Sequence, residues 1–375
     1  MQASNTTTYD VRSRVQKIER RFDLYRTGLA VLIALVIVLA IIALISTQPL
    51  EAIQLLLYGP LTSLRRFGNV IELMIPLIFT GLAITLTFKT NRFNLIAEGT
   101  FFLGAMLAAI VAIFSPWPFA INLLLIMVGT FVIGGAIGFI PAILNFKFGA
   151  SELVTSLMLN YILGYGVNYL MNYVVRDPRS SNLQSYRIQS GQSLPNIVDG
   201  TRIHAGLFLA LVLVLLVYLL IYKTPWGFAL RTTGLNEKFS RYVGVNVVGV
   251  IIMAQVIGAG IAGLGGAVEM LGIYNTFRWT ASPGYGFDGV IIATLARNNP
   301  LYVPLAAFFL AYIRIGADIL NRSTDIPAEI IAVVQATIIL LIAAQAFLSH
   351  WKQAAIVKAA QAAQVQEGGH RHANT

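Results

Sequence analysis

The chain is built of long apolar runs separated by short polar breaks, and the runs have the length of bilayer crossings. A helix rises about 1.5 Å per residue, so about 20 mostly apolar residues cover a hydrocarbon core of about 30 Å. Such runs fall at 28–47, 69–88, 95–114, 119–145, 150–175, 205–222, 247–272, 300–320 and 326–347. A shorter run, 288–296, lies between Gly286 and Pro300 and fits either a short span or a re-entrant segment. Counted as a span, it makes ten crossings and puts both termini on one side. The first run is too long for a signal-peptide core and has no small-residue cleavage site, which predicts an uncleaved helix. The expected fold class is an all-α integral membrane protein with about ten transmembrane helices.

The polar segments divide the chain further. In 1–27, Val11, Val15, Ile18, Phe22 and Tyr25 form a helical stripe among basic residues. This predicts an amphipathic helix, lying on the inner leaflet or packed on the protein's own cytoplasmic loops. The membrane domain is expected over 28–347 and a partly disordered cytoplasmic tail over 348–375. Within the domain, 176–204 is an external loop of 29 residues, long enough to suggest a function, and 223–246 is the largest internal loop.

Composition excludes a soluble enzyme. Charged residues make up 11% of the 375, against roughly 25% in soluble domains, and mean hydropathy is +0.74. The net charge of +10 does not imply nucleic acid, because basic residues of membrane proteins gather in cytoplasmic loops. With the N-terminus inside, seventeen of the 26 Lys and Arg fall inside and nine outside, which favours cytoplasmic termini. The absence of Cys excludes disulfides, thiolate metal sites and thiol catalysis.

Motif searches return little enzymatic chemistry. Gly258-Ala-Gly260-Ile-Ala-Gly263 and Gly284-Tyr-Gly286-Phe-Asp-Gly289 match the dinucleotide fingerprint, which has force only between a strand and a helix. The first lies within an apolar run and predicts close helix packing; the second predicts an irregular turn at the membrane surface. There is no phosphate-binding G-x-x-x-x-G-K-[ST], no H-E-x-x-H and no G-x-S-x-G. No catalytic residue or metal site is expected. Ionisable residues in or near spans are Glu72, Glu98, Glu152, Glu269, Asp288, Arg314 and Asp318. Solvated positions at the membrane boundary are expected for Glu98 and Glu152, a helix cap for Asp288, and an i,i+4 pair for Arg314 and Asp318. No chain of acids and His suggests a proton relay.

Four stretches resemble one family. Phe93-Asn94-Leu95-Ile96-Ala97-Glu98-Gly99 is similar to the F-N-I-G-A-E-G motif of permeases in nucleoside-type ABC importers. Ser151-Glu152-Leu153-Val154-Thr155-Ser156-Leu157-Met158-Leu159-Asn160-Tyr161 resembles their E-V-x-x-T-x-M-L-N-Y segment. Leu230-Arg231-Thr232-Thr233-Gly234-Leu235-Asn236, continuing to Arg241-Tyr242-Val243-Gly244-Val245, resembles L-R-A-V-G-x-N…R-Y-x-G-I. Gly284–Gly289 with Arg297-Asn298-Asn299-Pro300 resembles G-x-G-F-D-G…G-R-N-N-P. The matches run in order over about 69–320 and are more specific for the permease class than for its substrate, since ribose, simple-sugar and branched-chain amino-acid permeases share the superfamily. The departures are Leu95-Ile96 for Ile-Gly, Ala296 for Gly, and Phe239-Ser240 for Ala-Ala.

The resemblance implies a type II-like ABC importer permease, a transporter subunit and not an enzyme, in a bacterial cytoplasmic (inner) membrane. ATP and Mg would be held by a separate ATPase subunit, with no cofactor in this chain. Coupling to that subunit would use Arg231, Gly234, Asn236, Lys238, Arg241, Tyr242 and Gly244, with Gly234 and Gly244 turning either end of a short helix. The translocation path would be lined by Asn94, Glu98, Thr155, Asn160, Tyr161 and Asn168, and structural or gating roles fall to Gly286, Asp288, Gly289, Asn298, Asn299 and Pro300. Other implied partners are a second permease in a heterodimer, an extracytoplasmic substrate-binding lipoprotein seated in part on 176–204, a small polar substrate and the bilayer; nucleic acid is not among them. The substrate implied is a nucleoside or related sugar. A ribose or simple-sugar permease is the alternative within the class, and an ion-gradient-driven secondary transporter the alternative outside it.

Overall fold

The computed structural model describes residues 49–323 and the isolated positions 36, 333 and 336. The N-terminal segment 1–27, the runs 28–47 and 326–347 apart from those positions, and the tail 348–375 lie outside the described residues. The chain divides into two units, 56–319 and 1–55 with 320–375; the packing below is that of 56–319.

The described elements are helices: α1 (Pro49–Tyr58), α2 (Leu64–Phe88), α3 (Ala97–Phe114), α4 (Phe119–Phe148), α5 (Glu152–Leu170, continued by a π turn over Met171–Val175), α6 (Gly206–Lys223), α7 (Pro225–Leu235), α8 (Glu237–Tyr242), α9 (Val247–Ile273), α10 (Tyr285–Leu295) and α11 (Val303–Ser323). Six described segments are long and apolar enough to cross a membrane: α2, α3, α4, α6, α9 and Pro300–Ser323. α1, which Pro49 opens, was not expected. α2 starts five residues before the expected 69, because Ser63 caps it by accepting the Arg66 N–H at 3.2 Å and so carries Arg65 and Arg66 into the helix.

α9 is the central helix, packed by α2, α3 and α4. Its glycines make the close packing expected of that apolar run: Gly258 lies against the α2 backbone at Ala83, Gly263 against the α4 backbone at Thr130, and Gly266 against the Phe101 carbonyl of α3. A side chain at any of these positions would force two backbones apart. Bare helix faces allow the close approach that binds helices where lipid offers no hydrophobic drive.

The 176–204 loop is built into one end of the bundle. Ile188 and Leu194 are buried and their N–H groups donate to Asn275 and Leu271 carbonyls at 2.9 and 2.8 Å. Gln189 donates to the Ile113 carbonyl at 2.8 Å, and Gln192 to that of Trp117 at 3.0 Å. His204 is fully buried where the loop meets α6, its Nδ1 accepting the Gly206 N–H at 3.2 Å. Burial pulls its pKa down to about 4 from the ordinary 6.5.

Two outcomes follow. Gly266→Val should lower the melting temperature of the purified protein in detergent, by overpacking worth about 1–3 kcal/mol. Because folding depresses the His204 pKa, its neutral form stabilises the native state above pH 6.5, and that contribution is lost as pH falls towards 4. Melting curves of His204→Gln should therefore fall less steeply than wild type across that window.

Candidate functional site: a clamp around residues 89–99

The segment after α2 gathers contacts from most of the protein. Thr90 and Asn91 turn the chain, Asn91 with φ of +57°, a conformation Asn tolerates better than most residues. Asn94 then accepts the Ile96 N–H at 2.8 Å and donates to Gln255 Oε1 of α9 at 2.6 Å. Gln255 is eight residues inside α9, about 12 Å along its axis, so the segment dips into the bundle. α5 holds it from the side: Ser156 Oγ accepts the Leu95 N–H at 3.1 Å, while Asn160 donates to the Leu95 carbonyl at 2.9 Å and accepts the Gly99 N–H at 3.0 Å.

Glu98 ends the segment, 1% exposed. Its carboxylate accepts the N–H groups of Gly284 at 2.7 Å, Gly286 at 2.5 Å and Phe287 at 3.3 Å. These are orphan donors at the start of α10, whose N-cap Gly284 (φ +86°) has no side chain to supply a cap. A carboxylate from another helix takes that place and faces the positive end of the dipole. Gly286 is required by contact, since a Cβ there would overlap the Glu98 backbone.

α10 has 11 residues, about 16 Å, half a bilayer core. The chain leaves α9 at the loop end, where Asn275 and Phe277 pair with Ile188 and Ser185. It continues along α3, with Phe277 stacked on Phe102 at 5.9 Å and Trp279 on Phe101 at 6.2 Å. At Glu98 it turns into α10, which runs beside the second half of α2, Gly289 against Thr80 and Ile292 against Gly81. The short run is thus neither a full-length helix nor a surface turn; it is a pass within the bundle, irregular along α3 and helical along α2. Irregular backbone at that depth is tolerated because protein surrounds it.

Several expectations are corrected here. Glu98 and Glu152 are buried, at 1% and 6% exposed, and not solvated. Asp288 does not cap α10. It lies in the first turn and forms a two-point ion pair with Arg314 of α11, Nη2–Oδ1 2.6 Å and Nη1–Oδ2 2.5 Å. Arg314, expected to meet Asp318, turns to this buried carboxylate. Arg297 and Asn298, both at φ +53°, end α10, and Asn299 accepts the Leu301 N–H at 3.2 Å at the turn into Pro300. Gly286, Asp288, Gly289, Asn298, Asn299 and Pro300 thus belong to one broken-helix construction.

The 223–246 segment forms two helices where one was expected. Thr224 Oγ1 accepts the Gly227 N–H at 3.0 Å to open α7, and Asn236 Oδ1 accepts the Phe239 N–H at 3.0 Å to open α8. Gly234 is inside α7 and not at a turn; a Cβ there would overlap the Lys89 carbonyl. Gly244, at φ +84°, does turn the chain. Arg231 lies over the Tyr222 ring at 5.1 Å. Lys238, Arg241 and Tyr242 are exposed, with Leu235, Phe239 and Val243 beside them.

Of the expected path residues, Asn94 and Glu98 are buried struts and Asn160 is committed to the clamp. Thr155, Tyr161 and Asn168 lie on the outer side of α5, where Tyr161 is 65% exposed. Sequence reading missed Tyr165, Tyr169 and Tyr173 on that face, although steps of four along a span were a signal. It also missed Arg92, Gln255 and Glu237, which had none. Glu72 pairs with Arg202 at 3.4 Å, and Glu269 is buried on α9. Among the described residues no His, Asp and Glu converge as metal ligands.

Six long apolar helices, a short helix that begins inside the bundle, a polar clamp and an exposed helical hairpin make a multi-pass membrane protein. The chain belongs to the family described as branched-chain amino acid transport system, permease component, matched over residues 66–343. It is 34% identical over 282 residues to the guanosine ABC transporter permease NupP of Bacillus subtilis, covering 74% of this chain and 80% of that protein. It is 30% identical to the glucose ABC transporter permease TsgB13 of Haloferax volcanii, covering 86% and 88%, and 29% identical to the nucleoside ABC transporter permease NupB of Lactococcus lactis, covering 79% and 84%. More distant permeases of the same two bacteria match as well, NupQ at 20% and NupC at 23%. No solved structure matches significantly.

The clamp makes a direct forecast. Glu98→Gln places an amide donor among three N–H donors, and should cost about 1–3 kcal/mol, read as a lower melting temperature in detergent. Glu98→Asp, too short to reach α10 unchanged, should fall between it and wild type.

Proposed function

We infer that this chain is the transmembrane subunit of an ATP-driven importer and forms part of the route for a nucleoside or related sugar. The observation that carries this is the α7–α8 hairpin: an exposed surface of Leu235, Phe239, Tyr242 and Val243 with Lys238 and Arg241, built onto the 89–92 turn by Gly234 and Arg92. Its chemistry suits a cleft on a separate ATPase subunit, which would hold ATP and Mg. Arg231, Asn236 and Gly244 shape the hairpin behind that surface. The sequence has no phosphate-binding loop of its own.

The route is assigned to the outer face of α5. Large exposed hydrophobic residues of α4 and α6, such as Leu124, Val128, Val132, Leu211, Val212 and Leu215, are aliphatic or Phe, carry no polar group and suit lipid. Those of α5 include Tyr161, Tyr165, Tyr169 and Tyr173, 61–78% exposed, with Thr155 and Asn168 alongside. Hydroxyls and amides facing hydrocarbon are costly without partners, so this face suits a hydrated passage between two permease subunits. Tyrosines offer flat faces to a nucleobase or sugar ring and hydroxyls to its polar groups. Asn94, Glu98 and Asn160 hold the passage wall from behind.

The names of the relatives support a nucleoside first and a sugar second. The paired names NupP with NupQ and NupB with NupC support a heterodimer with a second permease. An extracytoplasmic binding protein would deliver substrate at the 176–204 end, and the excess of basic residues at the opposite end supports a hairpin on the cytoplasmic side of a bacterial cytoplasmic membrane.

The test is uptake by proteoliposomes holding the purified complex with its ATPase, second permease and binding protein. Guanosine uptake should require internal or external ATP at the ATPase face and ignore ionophores. Uptake driven by a sodium or proton gradient without ATP would overturn the reading. Tyr165→Leu should reduce uptake about two- to tenfold while the complex still assembles, with Tyr165→Phe closer to wild type.

A further inference from the structure

One guanidinium joins the exposed hairpin to the interior. Arg92 Nη2 donates to Glu237 Oε2 of α8 at 2.9 Å, and Arg92 Nη1 lies 3.8 Å from Glu152 Oε1 in the first turn of α5. Glu152 Oε2 accepts from Gln255 Nε2 of α9 at 3.0 Å, and Gln255 Oε1 accepts from Asn94 Nδ2 at 2.6 Å. On the outer side, Glu237 Oε1 is also bound by Arg241 at 2.9 Å. A polar line therefore runs from α8, through Arg92, to the foot of α5 and to the segment that carries Glu98; its Arg92–Glu152 link is a charge approach of 3.8 Å, longer than a hydrogen bond.

This line is ill suited to mere stability. The outer pairs are partly exposed, where ion pairs contribute little. The inner part buries a carboxylate at 6% exposure, which carries a desolvation penalty that an apolar pair would avoid. Its geometry does something else: it sets one rigid, planar group between two separate helices, hydrogen-bonded to α8 and drawn by charge to the foot of α5. Arginine can address two carboxylates with different nitrogens, which the single ammonium of lysine does less well. α5 is also fastened to the 94–99 segment by Ser156 and Asn160, so whatever displaces its foot displaces the helix that bears the tyrosine face.

We propose that Arg92, with Glu237 and Glu152, is the strut that transmits displacement of the α7–α8 hairpin to α5. This rests on the importer reading above. Arg92 is a positioning residue: it touches neither substrate nor nucleotide. When a bound ATPase shifts α8, Glu237 pulls the guanidinium, Glu152 follows, and the exposed face of α5 moves relative to its neighbours.

The chain has no Cys, so Tyr165→Cys supplies a single thiol on this subunit's α5 face. In the assembled complex, its labelling rate by a water-soluble maleimide is measured with and without ATP plus vanadate. ATP should change the rate about two- to thirtyfold when the strut is intact. Arg92→Gln should reduce that response to the unstimulated rate, Arg92→Lys should restore part of it, and Glu237→Gln should match Arg92→Gln. The double variant should be no worse than either single one, because both cut one line. Glu237 is on the partly exposed side, so its variant gives the result even if Arg92→Gln fails to assemble. An undiminished ATP response in these variants, additive losses in the double variant, or no ATP response with the strut intact would each overturn the proposal. Failure of the importer reading looks different: the unsubstituted complex would show no ATP-dependent uptake.

Discussion

A carboxylate buried inside a membrane bundle must find donors, and the fold is arranged around how Glu98 finds them. Its three donors are main-chain N–H groups 186–189 residues away, at the start of α10. The bargain is mutual. A helix that begins within the bundle leaves N–H groups that no water can reach, and Glu98 satisfies them; α10 in turn makes the buried charge tolerable. Remove either partner and the other becomes a liability. The same logic repeats one turn further on, where Asp288 meets Arg314 and ties α10 to α11.

The 89–99 segment converts this local solution into a global one. Ser156 and Asn160 bring α5 to it, Gln255 brings α9, Gly234 and Glu237 bring the hairpin. Ser156 and Asn160, Gly234, and Gly284 with Gly286 come from the other three family-like stretches, so the four meet in a single assembly. α5 consequently has two unlike faces. One is bonded to the clamp through small polar side chains; the other is open and carries four tyrosines among aliphatic residues. A helix held firmly along one side and free along the other is suited to line a passage and to move as a unit.

Much of the framework was legible in the apolar pattern. The runs at 95–114, 119–145, 205–222 and 247–272 became α3, α4, α6 and α9 with ends displaced by no more than three residues. The glycine-rich run at 258–263 was read as a packing surface, and it is one. Charges were read less well. Arg314 and Asp318 invited pairing by spacing, yet Arg314 bonds Asp288, because a buried carboxylate gains more from a guanidinium than a helix-surface neighbour does. Gly234 invited a turn, yet its bareness serves the Lys89 carbonyl.

What the sequence alone determined is the membrane framework: apolar length is a local, additive property, and each run meets the bilayer requirement on its own terms. It also carried the family resemblance, through motifs that are contiguous in the chain. Only the tertiary structure decided which polar groups meet. Arg92 and Glu237 are 145 residues apart and Asn94 and Gln255 are 161 apart, with nothing in their neighbourhoods to mark them as partners. Such pairings depend on helix placement and depth, which follow from packing of the whole bundle. The short run at 288–296 shows the division most plainly. Its apolar length was visible, but its start as a helix inside the bundle depended on Glu98 standing where its first turn begins.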